Sequence, residues 1–177
     1  MAEQLRRERL RREMIDEIIA AARTLLEKDG PGAISIRAIA RQVGVSAPAI
    51  YRYFPSLDAL IRALNDSVIN ELCAAVEPFS AVVPSSAAAL SSAAALAFRA
   101  WALDHPASFR FTLGLTGHLA GNQTLMGQLL RLPDPASSPL PWATLCGLVL
   151  LELAANPTDL PEIRHLYEAA FHDHEIP

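Results

Sequence analysis

Cysteine is scarce in this chain: two occur in 177 residues, Cys73 and Cys146, both inside apolar helical patterns. So few thiols argue against a secreted disulfide framework and for a reducing compartment. No apolar stretch reaches the roughly 18 to 20 residues that span a bilayer without a charge or proline. The opening Met-Ala-Glu-Gln-Leu-Arg-Arg has no apolar run behind its basic residues, so it does not read as a signal peptide. The expectation is a soluble, cytoplasmic protein without a membrane partner. Also missing are a glycine-rich phosphate loop, a Gly-x-Ser-x-Gly elbow and a His-Glu-x-x-His pair. Nothing asks for an active site, and neither enzyme activity nor a cofactor is expected. The tail His172-Asp173-His174-Glu175, with His165 before it, lacks a second ligand cluster at fixed spacing. It reads as a solvated terminus, and no metal is expected.

What is present is apolar and helix-forming. The chain is 51% hydrophobic and 19% charged, rich in Ala and Leu, and long enough for a small domain plus a medium one. The net charge of -4 argues by itself against nucleic acid, but its distribution argues otherwise. Residues 1–62 carry a net +3 and residues 63–177 a net -7, so the two ends expect different partners.

Apolar residues at Met14, Ile15, Ile18, Ile19, Ala22, Leu25 and Leu26 follow the spacing of an amphipathic helix over 11–28, stopped by Gly30 and Pro31. Ser35 is placed to cap a helix over 36–43 that Gly44 ends, and Ser46 to cap another through about Tyr53 with Pro48 in its first turn. Ser56 begins a longer helix to about Val76, and Pro78 and Pro84 bracket a linker. Further helices are expected over 85–103, 108–119, 124–131, 142–155 and 159–172, with a proline-rich loop at 133–141. The fold class is therefore all-α, with about nine helices. A three-helix DNA-binding domain over 1–56, including a basic N-terminal arm at 1–12, precedes a helical effector-binding and dimerisation domain over 57–177.

Two short helices joined at Gly44-Val45-Ser46 have the layout of a helix-turn-helix, in which glycine permits the sharp reversal. At 100° per residue Ile50 and Phe54 point inward, which turns Pro48 and Arg52 outward with Tyr51 on one flank and Ala49 and Tyr53 on the other. A helix presenting an arginine and two tyrosine hydroxyls suits the major groove of double-stranded DNA: arginine forks onto guanine and tyrosine donates to phosphate. The same projection puts Arg37 and Arg41 near phosphates.

On Ser35-Ile36-Arg37-Ala38-Ile39-Ala40-Arg41-Gln42-Val43-Gly44-Val45-Ser46, then Ala49-Ile50-Tyr51-Arg52-Tyr53-Phe54-Pro55-Ser56 and Leu60, the sequence resembles the TetR family of regulators. The resemblance covers residues 11–62. It implies a transcriptional repressor with Tyr51 and Tyr53 on the DNA backbone, and Ala47, Pro48 and Arg52 nearest base edges. Ser35, Arg37, Arg41 and Ser46 complete the expected DNA-binding set. Leu57 stands where the family usually has a phosphate-contacting lysine, which shifts weight onto Arg37, Arg41 and the N-terminal arginines. Residues 103–110 and Trp142-Ala143-Thr144-Leu145-Cys146-Gly147 resemble a subgroup with a Trp-x-x-x-His-Gly signature, with Cys146 in place of the histidine.

The arginines at 6, 7, 9, 11 and 12 read either as an arm reaching the minor groove or phosphates, or as a solvated extension, since Glu3, Glu8 and Glu13 are interspersed. Phe98, Trp101, Phe109, Phe111 and Trp142 read either as pocket lining or as core; His105, His118, Cys146 and Glu152 are the polar candidates for an unidentified small-molecule effector. The helices at 142–155 and 159–172 offer more apolar surface than a small monomer buries, through Leu145, Leu148, Leu151, Ile163, Leu166 and Phe171 among others. They are the expected homodimer interface. The rival reading is a helical module acting through a protein partner, with Leu57, Ala47 and Pro48 marking weakened DNA binding.

Overall fold

The computed structural model describes residues 1–80, 92–114 and 140–154. Among them the chain forms seven α-helices and one 3-10 turn: α1 (Ala2–Asp29), the turn Pro31–Ala33, α2 (Ile36–Val43), α3 (Ala47–Tyr51), α4 (Leu57–Ser80), α5 (Ser92–Asp104), α6 (Pro106–Thr112) and α7 (Leu140–Ala154). No strand occurs among the described residues. The expected helices at 124–131 and 159–172 and residues 133–139 of the expected loop lie outside them; the loop's last two residues, Leu140 and Pro141, already belong to α7, since a proline in a helix's first turn gives up no intrahelical bond.

The first helix starts nine residues earlier than its apolar periodicity indicates. Residues 2–10 are mostly Ala, Glu, Gln, Leu and Arg, all strong helix formers, and nothing in them halts a helix growing toward the N-terminus. Ion pairs one turn apart, Arg7 with Glu3 and Arg9 with Glu13, brace this exposed section. The basic arm is thus the first turns of α1 rather than an extended strand of chain. At the other end Gly30, at φ 79°, turns the chain and donates its amide to the Leu26 carbonyl at 3.0 Å.

Helix α4 outruns its expected end, continuing through Pro78 to Ser80. A proline removes one backbone donor, here the partner of the Ala74 carbonyl. Both Ala74 and Pro78 are exposed, so water can take that donor's place. The described part of α5, Ser92–Asp104, falls in the helix expected over 85–103, whose residues 85–91 lie outside the described ones; α6 starts at Pro106 and ends at Thr112, two residues before Gly114 at φ 75°.

One continuous apolar core runs through the molecule. Ile18, Ala22 and Leu26 of α1 join Ile39 of α2, Ile50 of α3 and Leu60 and Leu64 of α4. The core then continues along Val68, Leu72 and Val76 into Ala95, Phe98 and Ala102 of α5, Phe109 and Phe111 of α6, and Leu145, Cys146 and Val149 of α7. Helix α4 is the shared beam: it packs against α1 near the start of the chain and against α5 and α6 farther along.

Candidate nucleic-acid interface

The turn between α2 and α3 is set by local chemistry. Ser35, in extended backbone, accepts the Ala38 amide on its Oγ at 3.2 Å and fixes where α2 begins. Gly44 closes α2 in the left-handed region at φ 79° and ψ 25°, and the Val45 amide reaches back to the Ala40 carbonyl at 2.9 Å. A side chain there would be strained, so glycine makes the reversal that aims α3. Ser46 occupies the N-cap position of α3, but its side chain makes no capping hydrogen bond; the first bond of the helix is main chain, Ala49 N–H to the Ser46 carbonyl at 2.9 Å. Pro48 sits in the first turn, where its missing donor costs nothing.

Helix α3 is anchored by one fully buried residue, Ile50, with Phe54 buried just beyond. The amides of Tyr53 and Phe54 both donate to the Ile50 carbonyl, at 2.9 and 3.0 Å, so the chain stays wound past the helix end and Arg52 and Tyr53 keep helical bearings. With Ile50 inward, Pro48, Tyr51 and Arg52 are exposed, Tyr51 at 52%. Arg37 and Arg41 of α2 are exposed, as are Ser35 and Ser46, while Ala47 and Tyr53 are half-buried. Of the nine residues expected to meet DNA, seven are thus exposed and two half-buried, with no acidic side chain between Ser35 and Phe54. Ser56 then caps α4, accepting the Ala59 amide at 3.1 Å.

Arg11 joins this region, which sequence patterning missed. Its guanidinium donates to the Arg52 carbonyl at 3.5 Å and lies 5.5 Å from the centroid of the Tyr53 ring. The contact spans 41 positions, and nothing local in the sequence announces it.

The candidates for an effector site are placed differently. Phe98 and Phe109 are fully buried and meet edge to face at 5.6 Å, and Trp101 and Cys146 are buried in the same core. Burial pushes the Cys146 thiol up to about 12. His105 is half-buried beside Trp101, with ring centroids 5.1 Å apart. His118 lies outside the described residues, and the side chain of Trp142, at the start of α7, is not described. Glu152 pairs with Arg99 through both carboxylate oxygens, one at 2.7 Å, and Arg110 donates to the Leu153 carbonyl at 3.1 Å, so α7 is pinned to α5 and α6. Phe98, Trp101 and Phe109 are brought together in one buried cluster of the core. An open groove of about 520 Å³ lies between α1 and α4, lined by Ile15, Asp16, Ile19, Ala20, Arg23, Ala63, Asp66, Ser67 and Asn70. None of the seven effector candidates lines it.

The described fold is that of an all-helical protein with a helix-turn-helix head. Residues 18–64, which hold the helix-turn-helix head, match the family model for bacterial regulatory proteins, tetR family. The EthR HTH-type transcriptional regulator of Mycobacterium tuberculosis (strain ATCC 25618 / H37Rv) is 38% identical over 60 residues, covering 34% of this chain and 28% of that protein. The nucleoid occlusion factor SlmA of Serratia proteamaculans is 38% identical over 71 residues, 37% of this chain and 36% of that protein. The similarity thus spans about a third of the length of these relatives. Over the whole fold, the putative regulatory protein SCO4313 aligns with a TM-score of 0.68 and 28% identity, covering 96% of this chain and 98% of that one. The multidrug binding protein EbrR, solved with imidazole, aligns at 0.66 with 22% identity and 90% of each chain, a likeness of fold. No described helix is long and apolar enough to cross a membrane.

Proposed function

We propose that this protein is a sequence-specific DNA-binding transcriptional regulator: a homodimeric repressor that leaves its operator when a small molecule binds its helical body. The observation that carries the reading is the exposed face of α3 and its turn, where Arg52, Tyr51, Arg37 and Arg41 stand clear of the core on a head matching the tetR family. Arg52 reads a base edge, and Tyr51, Tyr53, Arg37 and Arg41, with Ser35 and Ser46, hold the backbone; Ala47 and Pro48 are small enough to let α3 approach the groove floor. The name of EthR, a transcriptional regulator, supports the same role for this head.

In this reading residues 1–56 are the head and 57–177 the effector-binding and dimerisation body. Two heads meet successive major grooves about 34 Å apart, and a modest pivot of α4 spoils that spacing. The dimer forms through residues 142–155 and 159–172. For the first of these segments, the support is the largely apolar sequence of α7 and the exposure of Leu151 at 64%. The protein works in the cytoplasm, with neither cofactor nor catalytic site.

The test is fluorescence anisotropy of labelled DNA from the gene's own promoter, titrated with full-length protein from about 50 to 200 mM salt. Saturable binding that prefers this DNA to a scrambled duplex and weakens steeply with salt is the expected result, because displaced counterions accompany each phosphate contact. Equal, salt-insensitive affinity for both duplexes would overturn the reading in favour of a protein-binding module.

A further inference from the structure

Three polar groups, from α1, α5 and the α5–α6 corner, converge on one carboxylate of α4 outside the DNA-facing surface. Glu71, on α4, pairs with the guanidinium of Arg23 on α1. Its Oε1 accepts the indole N–H of Trp101 on α5 at 3.2 Å, and the His105 Nε2 lies 3.6 Å from the same oxygen. Arg23 also donates to the Ser67 Oγ at 3.2 Å, one turn back along α4. One turn farther along α1, the Glu27 carboxylate accepts the main-chain amide of Ser108, in the first turn of α6, at 3.2 Å. The short stretch 101–108 is therefore tied to α1 and α4 by two carboxylates. Burial disfavours the Arg23 cation and Glu27 opposes that effect, so Arg23 keeps its charge in a partly dry setting where a lost partner costs more than on open surface.

We propose that Glu71 is a positioning residue that sets where α1, and with it the recognition helix, sits relative to the α5–α6 corner. Arg23 follows the buried Ala22 by one residue, and Ile18, Ala22 and Leu26 carry the core on which α2 and α3 rest. A shift of Trp101 withdraws its hydrogen bond from Glu71, loosens the hold of Glu71 on Arg23 and frees α1 to rotate against α4. This is a two-position contact chain reaching from the body to the head, and its effect on the operator rests on the DNA-binding reading above.

The experiment is a mutant cycle on the full chain with Glu71→Gln, Trp101→Phe and the double variant. The readouts are amide hydrogen exchange by mass spectrometry without DNA, and operator affinity by anisotropy. Glu71→Gln keeps an acceptor for the indole but removes the charge that holds Arg23, whereas Trp101→Phe deletes the indole N–H and keeps an aromatic ring in the core. Each single variant is expected to speed exchange over α1 residues 14–29 and over α2 by roughly tenfold, and to weaken operator binding by a similar factor. The double variant should be no worse than Glu71→Gln alone, because both act through one group. Unchanged exchange in α1 and α2, or effects that multiply independently, would overturn the proposal. If Glu71→Gln does not fold, Trp101→Phe alone decides by the same exchange readout. A wild type that binds no DNA would sink the DNA-binding reading while leaving the exchange result to judge the junction.

Discussion

The guanidinium of Arg11 lies 5.5 Å from the centroid of the Tyr53 ring and donates to the Arg52 carbonyl at 3.5 Å. One arginine from α1 thus braces the end of α3 at two neighbouring residues, and it adds a positive charge beside the surface that α3 presents. Exposed cation–ring contacts are individually weak, about 0.5 to 1 kcal/mol. Arg11→Ala is therefore expected to weaken operator binding by about three- to tenfold, combining the lost brace with a lost charge near phosphate. The slope of log affinity against log salt should fall by roughly 1 for each arginine removed from a phosphate contact. Arg11→Lys should keep most of the salt slope and lose part of the affinity. An unchanged slope in Arg11→Ala would restrict Arg11 to bracing.

In the proposed reading, Arg52 and Tyr53 separate base reading from backbone holding. Arg52 is exposed with its main chain held in helical bearing, so its side chain is free to fork onto guanine. Arg52→Ala is expected to cost about 1 to 3 kcal/mol on the operator and to relax discrimination at one base pair. Tyr53→Phe removes a single hydroxyl and should weaken cognate and scrambled DNA alike. Competition assays with operators substituted one base pair at a time check both; equal loss on cognate and scrambled DNA for Arg52→Ala would take base reading away from it.

The head was legible in the sequence because its signals are local. Ser35, Gly44 and Ser56 each act within four residues, and the inward pointing of Ile50 follows from helical period alone. Ser46 shows the limit: its position at the start of α3 was readable, but the main-chain bond that replaces its side-chain cap was not. The start of α1 was misjudged for a related reason. Apolar periodicity reports burial, and an exposed helix of Arg and Glu has none to report. Arg11 was named only as part of a basic arm, and its contact with Arg52, like the pairings of Arg23, Glu27 and Glu71, escaped, since the partners lie 30 to 81 positions away and pairings of that range have no sequence signature. Among the aromatics, helical spacing could not tell pocket from core, and the buried Phe98–Phe109 pair belongs to the core.

Thiol chemistry checks the packing of the body. Cys146 is buried and its thiol is pushed up to about 12, whereas Cys73 is exposed with its thiol raised by partial burial. The thiolate is the reactive form, so at pH 8 an aromatic disulfide reagent is expected to titrate Cys73 in the folded protein and to reach Cys146 only on unfolding. The stability linkage has a definite sign. Below the ordinary thiol value of 9.0 both folded and unfolded Cys146 are neutral and no penalty arises. Above it the unfolded thiol ionises while the folded one does not, so stability drains away between about pH 9 and 12. Cys146→Ala should flatten that part of the urea-midpoint profile relative to wild type. Two fast-reacting thiols in the native protein would place Cys146 outside the core.

Leu151 is 64% exposed on a helix whose other face is fixed to the body by Leu145, Cys146 and Val149 in the core and by the Arg99–Glu152 pair. A helix so apolar, pinned on one side and bare on the other, calls for a second surface to cover it. In the dimer proposed above a second copy of the chain covers this face with two-fold symmetry, so any change at residue 151 enters the interface twice. Leu151→Glu then places two like charges in one apolar contact. In a monomer the same change would be nearly silent, since exposed substitutions stay within about 0.5 kcal/mol. The expected outcome is a dimer at micromolar concentration for the wild type and a monomer for Leu151→Glu, measured by light scattering. The far-ultraviolet helix signal should be retained, and operator affinity should fall by at least about a hundredfold, because one head alone forfeits the second half-site. Leu151→Ala should remain dimeric and separate lost area from introduced charge. A Leu151→Glu protein that still dimerises would move the interface off this face of α7.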